Sequence, residues 1–87
     1  MKILMQPVQM ISHFYPEEVP RPVKFRVKDT TGEFVEVKIE RILYHSEQKV
    51  GQERWILYKC ETILNGQKRL LELKFEKSSC RWILFKM

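Results

Sequence analysis

Tyr58-Lys59-Cys60-Glu61-Thr62-Ile63-Leu64-Asn65-Gly66-Gln67-Lys68-Arg69-Leu70-Leu71-Glu72-Leu73 is the stretch that decides the fold. Asn65-Gly66 is the strongest short hairpin signal, because both residues accept the positive φ that a tight turn of matching twist demands. Placing Leu64 opposite Gln67 aligns Cys60 with Leu71, Tyr58 with Leu73 and Ile56 with Phe75 on one face. Lys59 then meets Glu72 on the other face, a favourable cross-strand pair. A slip of one residue would turn every apolar side chain to the wrong side, so the register is strongly specified. Carried through a turn at Ser78-Ser79, it sets Phe75 opposite Trp82, Leu73 opposite Leu84 and Glu76 beside Arg81.

The same period of two recurs upstream. Val23, Phe25 and Val27 alternate with Lys24, Arg26 and Lys28, and Asp29-Thr30-Thr31-Gly32 supplies a turn whose glycine suits the left-handed position of a bulged loop. With Asp29 facing Glu33, Val27 meets Val35, Phe25 meets Val37 and Val23 meets Ile39, while Arg26 pairs with Glu36. Gln6 to Tyr15 reads as a first strand with Val8, Met10 and Phe14 on one side and Ile11 and Tyr15 on the other. Pro16-Glu17-Glu18-Val19-Pro20-Arg21-Pro22 reads as a rigid, exposed connection. The third strand is expected to run past Arg41 into Ile42-Leu43-Tyr44, with a bulge near Glu40-Arg41 to explain a switch of inward parity. His45 to Glu53 is expected to be a polar loop.

Composition agrees with these elements. The chain has 87 residues, 44% hydrophobic and 31% charged, with a net charge of +5 and no alanine, the best helix former. Residues 1–87 are thus expected to form a single all-β domain: a six-stranded antiparallel meander, strongly coiled or closed into a barrel-like sheet. The last strand, ending Ile83-Leu84-Phe85-Lys86-Met87, is expected at an open edge suited to strand addition. No stretch reaches the ~18–20 apolar residues of a membrane span. Gln6 and Pro7 interrupt the opening Met1–Met5 before an apolar region of ~7–15 residues, as in a secretory leader, can form. Cys60 lies level with Leu71 but Cys80 with Lys77, so ~20 Å of strand separates two thiols that a disulfide would need within ~7 Å between Cα atoms. The expectation is a cytoplasmic protein with free thiols and no membrane association.

Catalytic chemistry needs a constellation that the sequence does not offer. His13 and His45 sit in no zinc spacing, Gly32, Gly51 and Gly66 are isolated turn residues, and Cys60 points inward by parity. No catalytic residue, metal ligand or cofactor is therefore assigned, and the chain is expected not to be an enzyme. Two binding surfaces stand out instead. Trp55, Leu57, Ile83 and Phe85 fall together on the outer face, opposite the Tyr58–Leu73–Leu84 core, and four apolar residues there ask to be covered, either by the proline-containing N-terminal strand or the His45–Glu53 loop folding over them, or by a partner or a second copy. Lys24, Arg26, Lys28 and Lys38 share one face of the first hairpin with Phe34 beside Lys28, a basic surface with an aromatic of the kind that holds nucleic acid. Interleaved glutamates such as Glu36 and Glu40 also make it readable as a solvated face of mixed sign.

Pro7-Val8, Pro22-Val23-Lys24-Phe25-Arg26, the Gly32 turn, Leu71-Glu72-Leu73 and the terminal Arg81-Trp82-Ile83-Leu84 together resemble a family of small uncharacterised bacterial β domains. Such domains are similar to the tails of some Y-family translesion-polymerase-like proteins. The resemblance implies an accessory role near DNA or a polymerase and supplies no catalytic residue. The sequence thus points to a non-enzymatic binding module acting through protein association on the apolar face. The alternative is nucleic-acid binding, to a single strand or its backbone, through the basic face.

Overall fold

The computed structural model describes residues 1–16 and 18–87, and its regular structure is all β. The strands are β1 (Ile3–His13), β2 (Arg21–Lys28), β3 (Phe34–Lys38), β4 (Arg41–Val50), β5 (Glu53–Leu64), β6 (Gln67–Glu76) and β7 (Arg81–Lys86). They form one antiparallel sheet in the order β3-β2-β1-β7-β6-β5-β4, curled into a half-barrel.

Both hairpin registers are those that the pattern specifies. Val27 faces Val35 and Phe25 faces Val37 across β2–β3. Cys60 faces Leu71 and Tyr58 faces Leu73 across β5–β6, and Phe75 faces Trp82 across β6–β7. Asn65 and Gly66 take φ of 51° and 76°, the left-handed values that the turn requires. The inward residues of these strands make one core of Phe25, Val37, Ile56, Tyr58, Cys60, Leu71, Leu73, Phe75, Trp82 and Leu84. Tyr58 and Phe75 both pack on the Trp82 ring, at centroid distances of 5.2 and 4.9 Å.

Several expectations are corrected. The described chain has seven strands because the expected third strand is two: β3 ends at Lys38 and β4 starts at Arg41, on opposite edges of the sheet. Only Ile39 and Glu40 join them, and their consecutive amides donate to strands on different sides, Ile39 to Val23 and Glu40 to Glu61, each at 2.9 Å. From Lys38 to Arg41 the chain takes three steps and spans at most ~11 Å, so the two edges must meet there. The link therefore curls the sheet, and the switch of parity is a change of partner rather than a bulge. The bulge itself falls at Leu43.

His45–Glu53 is not a loop: β4 runs to Val50, with Glu47 facing Ile56, and turns at Gly51 and Gln52. Its polar residues match an edge strand exposed over most of its length. The last strand is not an edge either, since β7 lies between β1 and β6. β1 starts at Ile3 and stops at His13, and Phe14, 62% exposed, only touches Phe75 by its edge. The Pro16–Pro22 connection includes Glu17, outside the described residues. Its far end is less exposed than expected, because Pro20 and Pro22 are buried and β2 already begins at Arg21.

Two hydroxyls fasten the curl. Thr62, fully buried on β5, donates to the Lys38 carbonyl of β3 at 2.6 Å. Tyr58 donates to the carbonyl of Pro20. Both bonds satisfy a polar atom that burial would otherwise leave without water. Cys60 and Cys80 are unpaired thiols, the first buried and the second exposed, in line with the register. Among the described residues no helix is long and apolar enough to cross a membrane.

Candidate nucleic-acid interface

The outer face of β1–β2–β3 is set by a turn. Asp29 accepts three bonds on one carboxylate oxygen, from the Thr31 hydroxyl (2.6 Å), the Thr31 amide (2.8 Å) and the Glu33 amide (3.0 Å). Gly32 follows at φ 86°. The Thr31 hydroxyl, then its amide, hold the Asp29 carboxyl below its ordinary value. The closing bond runs from the Asp29 amide to the Glu33 carbonyl at 2.8 Å. This closure places Lys28 opposite Phe34, Arg26 opposite Glu36 and Lys24 opposite Lys38.

All five residues of the expected basic face, Lys24, Arg26, Lys28, Phe34 and Lys38, therefore lie side by side. Phe34 is 48% exposed. The Arg26 guanidinium lies 4.3 Å from its ring centroid and the Lys28 ammonium 5.5 Å. Lys24 and Lys38 do not face each other unrelieved, because Lys24 pairs with Glu36 at 3.5 Å. Among the described residues no carboxylate lies within ion-pair distance of Arg26.

β1 contributes residues that the sequence reading left out. Its first part pairs with β7 as far as Val8, and its second part pairs with β2 from Gln9 onward. The ladder between β1 and β2 thus ends at Gln9–Arg26, and the strands part beside Val27 and Lys28. Pro7, which has no N–H to give to a ladder, stands where they part. The parting opens a groove of about 370 Å³ lined by Gln6, Pro7, Val8, Gln9, Arg26, Val27, Lys28 and Phe34. Arg26 Nε donates to Gln9 Oε1 across the two strands at 2.7 Å. A proline inside an apparent central strand was the one available signal, since such a residue marks an irregular ladder.

The expected apolar face is arranged differently. Leu57 and Ile83 are 9% and 6% exposed, and Trp55 and Phe85 are only partly exposed. Lys74 stands between Leu57 and Ile83 in the ladder, and its ammonium sits 3.9 Å from the Phe85 centroid and 5.7 Å from that of Trp55. A lysine stem of four methylenes covers apolar neighbours while its charge stays at the surface. The four residues do share the outer face, but the chain largely covers them itself.

A second cleft, of about 480 Å³, opens between β4 and the start of β2, with Tyr15, Arg21, Tyr44, His45 and Tyr58 in its wall. His45 and Tyr58 are cross-strand neighbours with ring centroids 5.8 Å apart, and His13 stacks on Tyr15. Among the described residues no three of His, Cys, Asp and Glu gather to hold a metal ion. No family model, curated protein or solved structure matches the chain.

Proposed function

We propose that this chain is a non-enzymatic binding module that holds single-stranded nucleic acid on the outer face of β1–β2–β3. The observation that carries the reading is Arg26, held at two points before any ligand arrives: its Nε by Gln9 and its plane by the Phe34 ring. A guanidinium so fixed keeps its two terminal amino groups for phosphate and loses little freedom on binding. Phe34 offers a stacking surface for a base, while Lys28 and Lys38 add charge along the backbone. The resemblance to domains that accompany polymerases points the same way. The cytoplasm, where Cys60 and Cys80 stay reduced, is the proposed setting.

Anisotropy of a fluorescein-labelled ten-nucleotide single strand tests the proposal. Binding is expected with Kd of about 1–100 μM at low salt, in the range of backbone-driven association. About three phosphates neutralised gives a slope near −2 in log K against log salt. Arg26→Ala and Phe34→Ala should each weaken binding about tenfold, in keeping with a stack of ~1–3 kcal/mol. A Kd above about 1 mM at low salt would end the reading.

Self-association through the Trp55 and Phe85 face is the second reading, supported by the partial exposure that both rings keep beside Lys74. Light scattering on a dilution series tests it, and a monomer at every concentration removes it.

A further inference from the structure

We infer that the open edge of β4 is a docking surface for a second copy of this chain, and that the two copies pair β4 to β4, antiparallel, about a two-fold axis at Ser46. The surface is separate from the basic face of β1–β2–β3 and from the Trp55 and Phe85 face.

β4 ends the sheet, with β5 on one side and no strand on the other. The phase of its backbone follows from its hairpin. Gly51, at φ 62°, and Gln52 make a two-residue turn, so Val50 and Glu53 exchange both ladder bonds and the pattern alternates back along the strand. Gln48, Ser46 and Tyr44 turn their amides and carbonyls to β5, while Lys49, Glu47 and His45 turn theirs to the open side. The bond from the Lys77 amide to the Arg54 carbonyl agrees with this phase, because Arg54 stands opposite Lys49 yet gives its carbonyl to the other side. A row of unpaired amides and carbonyls is a template for another strand. β4 carries no proline to blunt it, and its bulge lies at Leu43, near one end.

The side chains fit a second copy in one register. An antiparallel partner sets outward-turned residues against outward-turned residues, so a self-pairing slides only in steps of two. Centred on Ser46, it puts His45 against Glu47 on each side of the axis and Tyr44 against Gln48. The adjacent registers set Glu47 on Glu47 or His45 on His45, and the one that sets Glu47 on Lys49 overlaps only residues 46–50. A carboxylate facing an imidazole gains a donor, whereas a carboxylate facing its own copy is repelled. Glu47 holds Lys77 and Arg54 on Oε1, at 3.1 and 3.9 Å, which leaves Oε2 for an imidazole N–H of the second copy. The same register brings Val50, at 70% the most exposed large apolar side chain among the described residues, level with Ile42. Ile42 lines the 480 Å³ cleft with Val19 and Pro20, so each copy offers apolar surface where the other presents its valine.

Sedimentation equilibrium and oxidative cross-linking test the inference. The wild-type mass should double over about 10–100 μM, as for an interface below the standard size. His45→Glu sets carboxylate on carboxylate and should raise the dissociation constant about tenfold or more. Adding Glu47→Lys to His45→Glu should restore it to within about threefold, and Phe85→Ala, on the other surface, should leave it unchanged. For the register, Ser46→Cys and Gln48→Cys are each made together with Cys80→Ser. Position 46 faces itself in a pair without ladder bonds, with Cα atoms ~4.5 Å apart and within reach of a disulfide, whereas the two copies of position 48 lie ~13 Å of strand apart. Mild oxidation should therefore join the Ser46→Cys copies about tenfold faster or more. A monomer at every concentration, a dimer indifferent to His45→Glu, or equal cross-linking at the two positions overturns the inference and leaves the single-strand reading in place. The far-ultraviolet circular dichroism of each variant verifies the fold. Should His45→Glu fail to fold, the cross-linking pair, which keeps His45 and Glu47, decides the question.

Discussion

Replacing Tyr58 by phenylalanine deletes one oxygen atom and tests how the half-barrel is held closed. The Tyr58 hydroxyl donates to the carbonyl of Pro20, 38 residues away, and its side chain is 1% exposed. Pro20 is itself buried, and no other donor reaches its carbonyl among the described residues. Phenylalanine keeps the ring against Trp82 and His45 but leaves that carbonyl without a partner. An unsatisfied buried acceptor costs ~1–3 kcal/mol, and the seclusion of this one places the loss near 2 kcal/mol. For a domain of this size each kcal/mol is worth ~4–8 °C, so the melting temperature should fall by roughly 8–16 °C. Thermal melts followed by circular dichroism measure this, and urea titration should show a lower midpoint at an unchanged slope. Tyr15→Phe and Tyr44→Phe, at sites 47% and 51% exposed, serve as controls expected to lie within ~0.5 kcal/mol of the wild type. A Tyr58→Phe melt within ~2 °C of the wild type would refute the argument that this bond is a dry fastening.

Three further outcomes are expected. Ellman's reagent should titrate Cys80 at once and Cys60 only on unfolding, because Cys60 is fully buried; two fast equivalents in the native state would contradict the register. Burial pushes the Cys60 thiol up to about 12 and raises Tyr58 as well, so the native state favours both neutral forms. Their contribution to stability is intact below the unfolded values, ~8.5 and ~10, and is lost as pH rises through the folded ones. Melting temperature should therefore decline from about pH 9 upward, and Cys60→Ala should delay the onset relative to its own neutral-pH value. Asp29 and Glu76 have the opposite sign: hydroxyl bonds, from Thr31 and from Ser79, hold both below the usual carboxylate range. Their contribution is present above about pH 4 and lost on acidification, which the acid limb of the same profile measures. Lys74→Ala should uncover Leu57, Ile83, Trp55 and Phe85, cost ~1 kcal/mol and raise binding of an apolar dye; unchanged dye fluorescence would show that the stem covers nothing.

Much of the candidate face was legible before any coordinates. Lys24, Arg26, Lys28, Phe34 and Lys38 come together because a turn with Asp29 and Gly32 sets a register, and register sets the face. What converts that face into a site was not legible. Gln9 reaches Arg26 across 17 residues of chain, and no periodic pattern records that contact. The apolar face shows the converse. Lys74, which reads as an ordinary polar position in β6, stands between Leu57 and Ile83 in the ladder and lies over the Trp55 and Phe85 rings.

The sequence by itself determined the two hairpin registers, the inward and outward residues of five strands, and the separation of Cys60 from Cys80. Each depends on alternation and turn chemistry within a few residues, where local propensity and burial agree. Only the tertiary structure decided that β1 divides its partners between β7 and β2, that Ile39–Glu40 carries the chain from one edge of the sheet to the other, and that polar His45–Val50 is an edge strand. Those features arise from closing a small sheet on itself. Closure is driven by burial of a core shared among distant strands, a non-directional force that leaves no period in the chain.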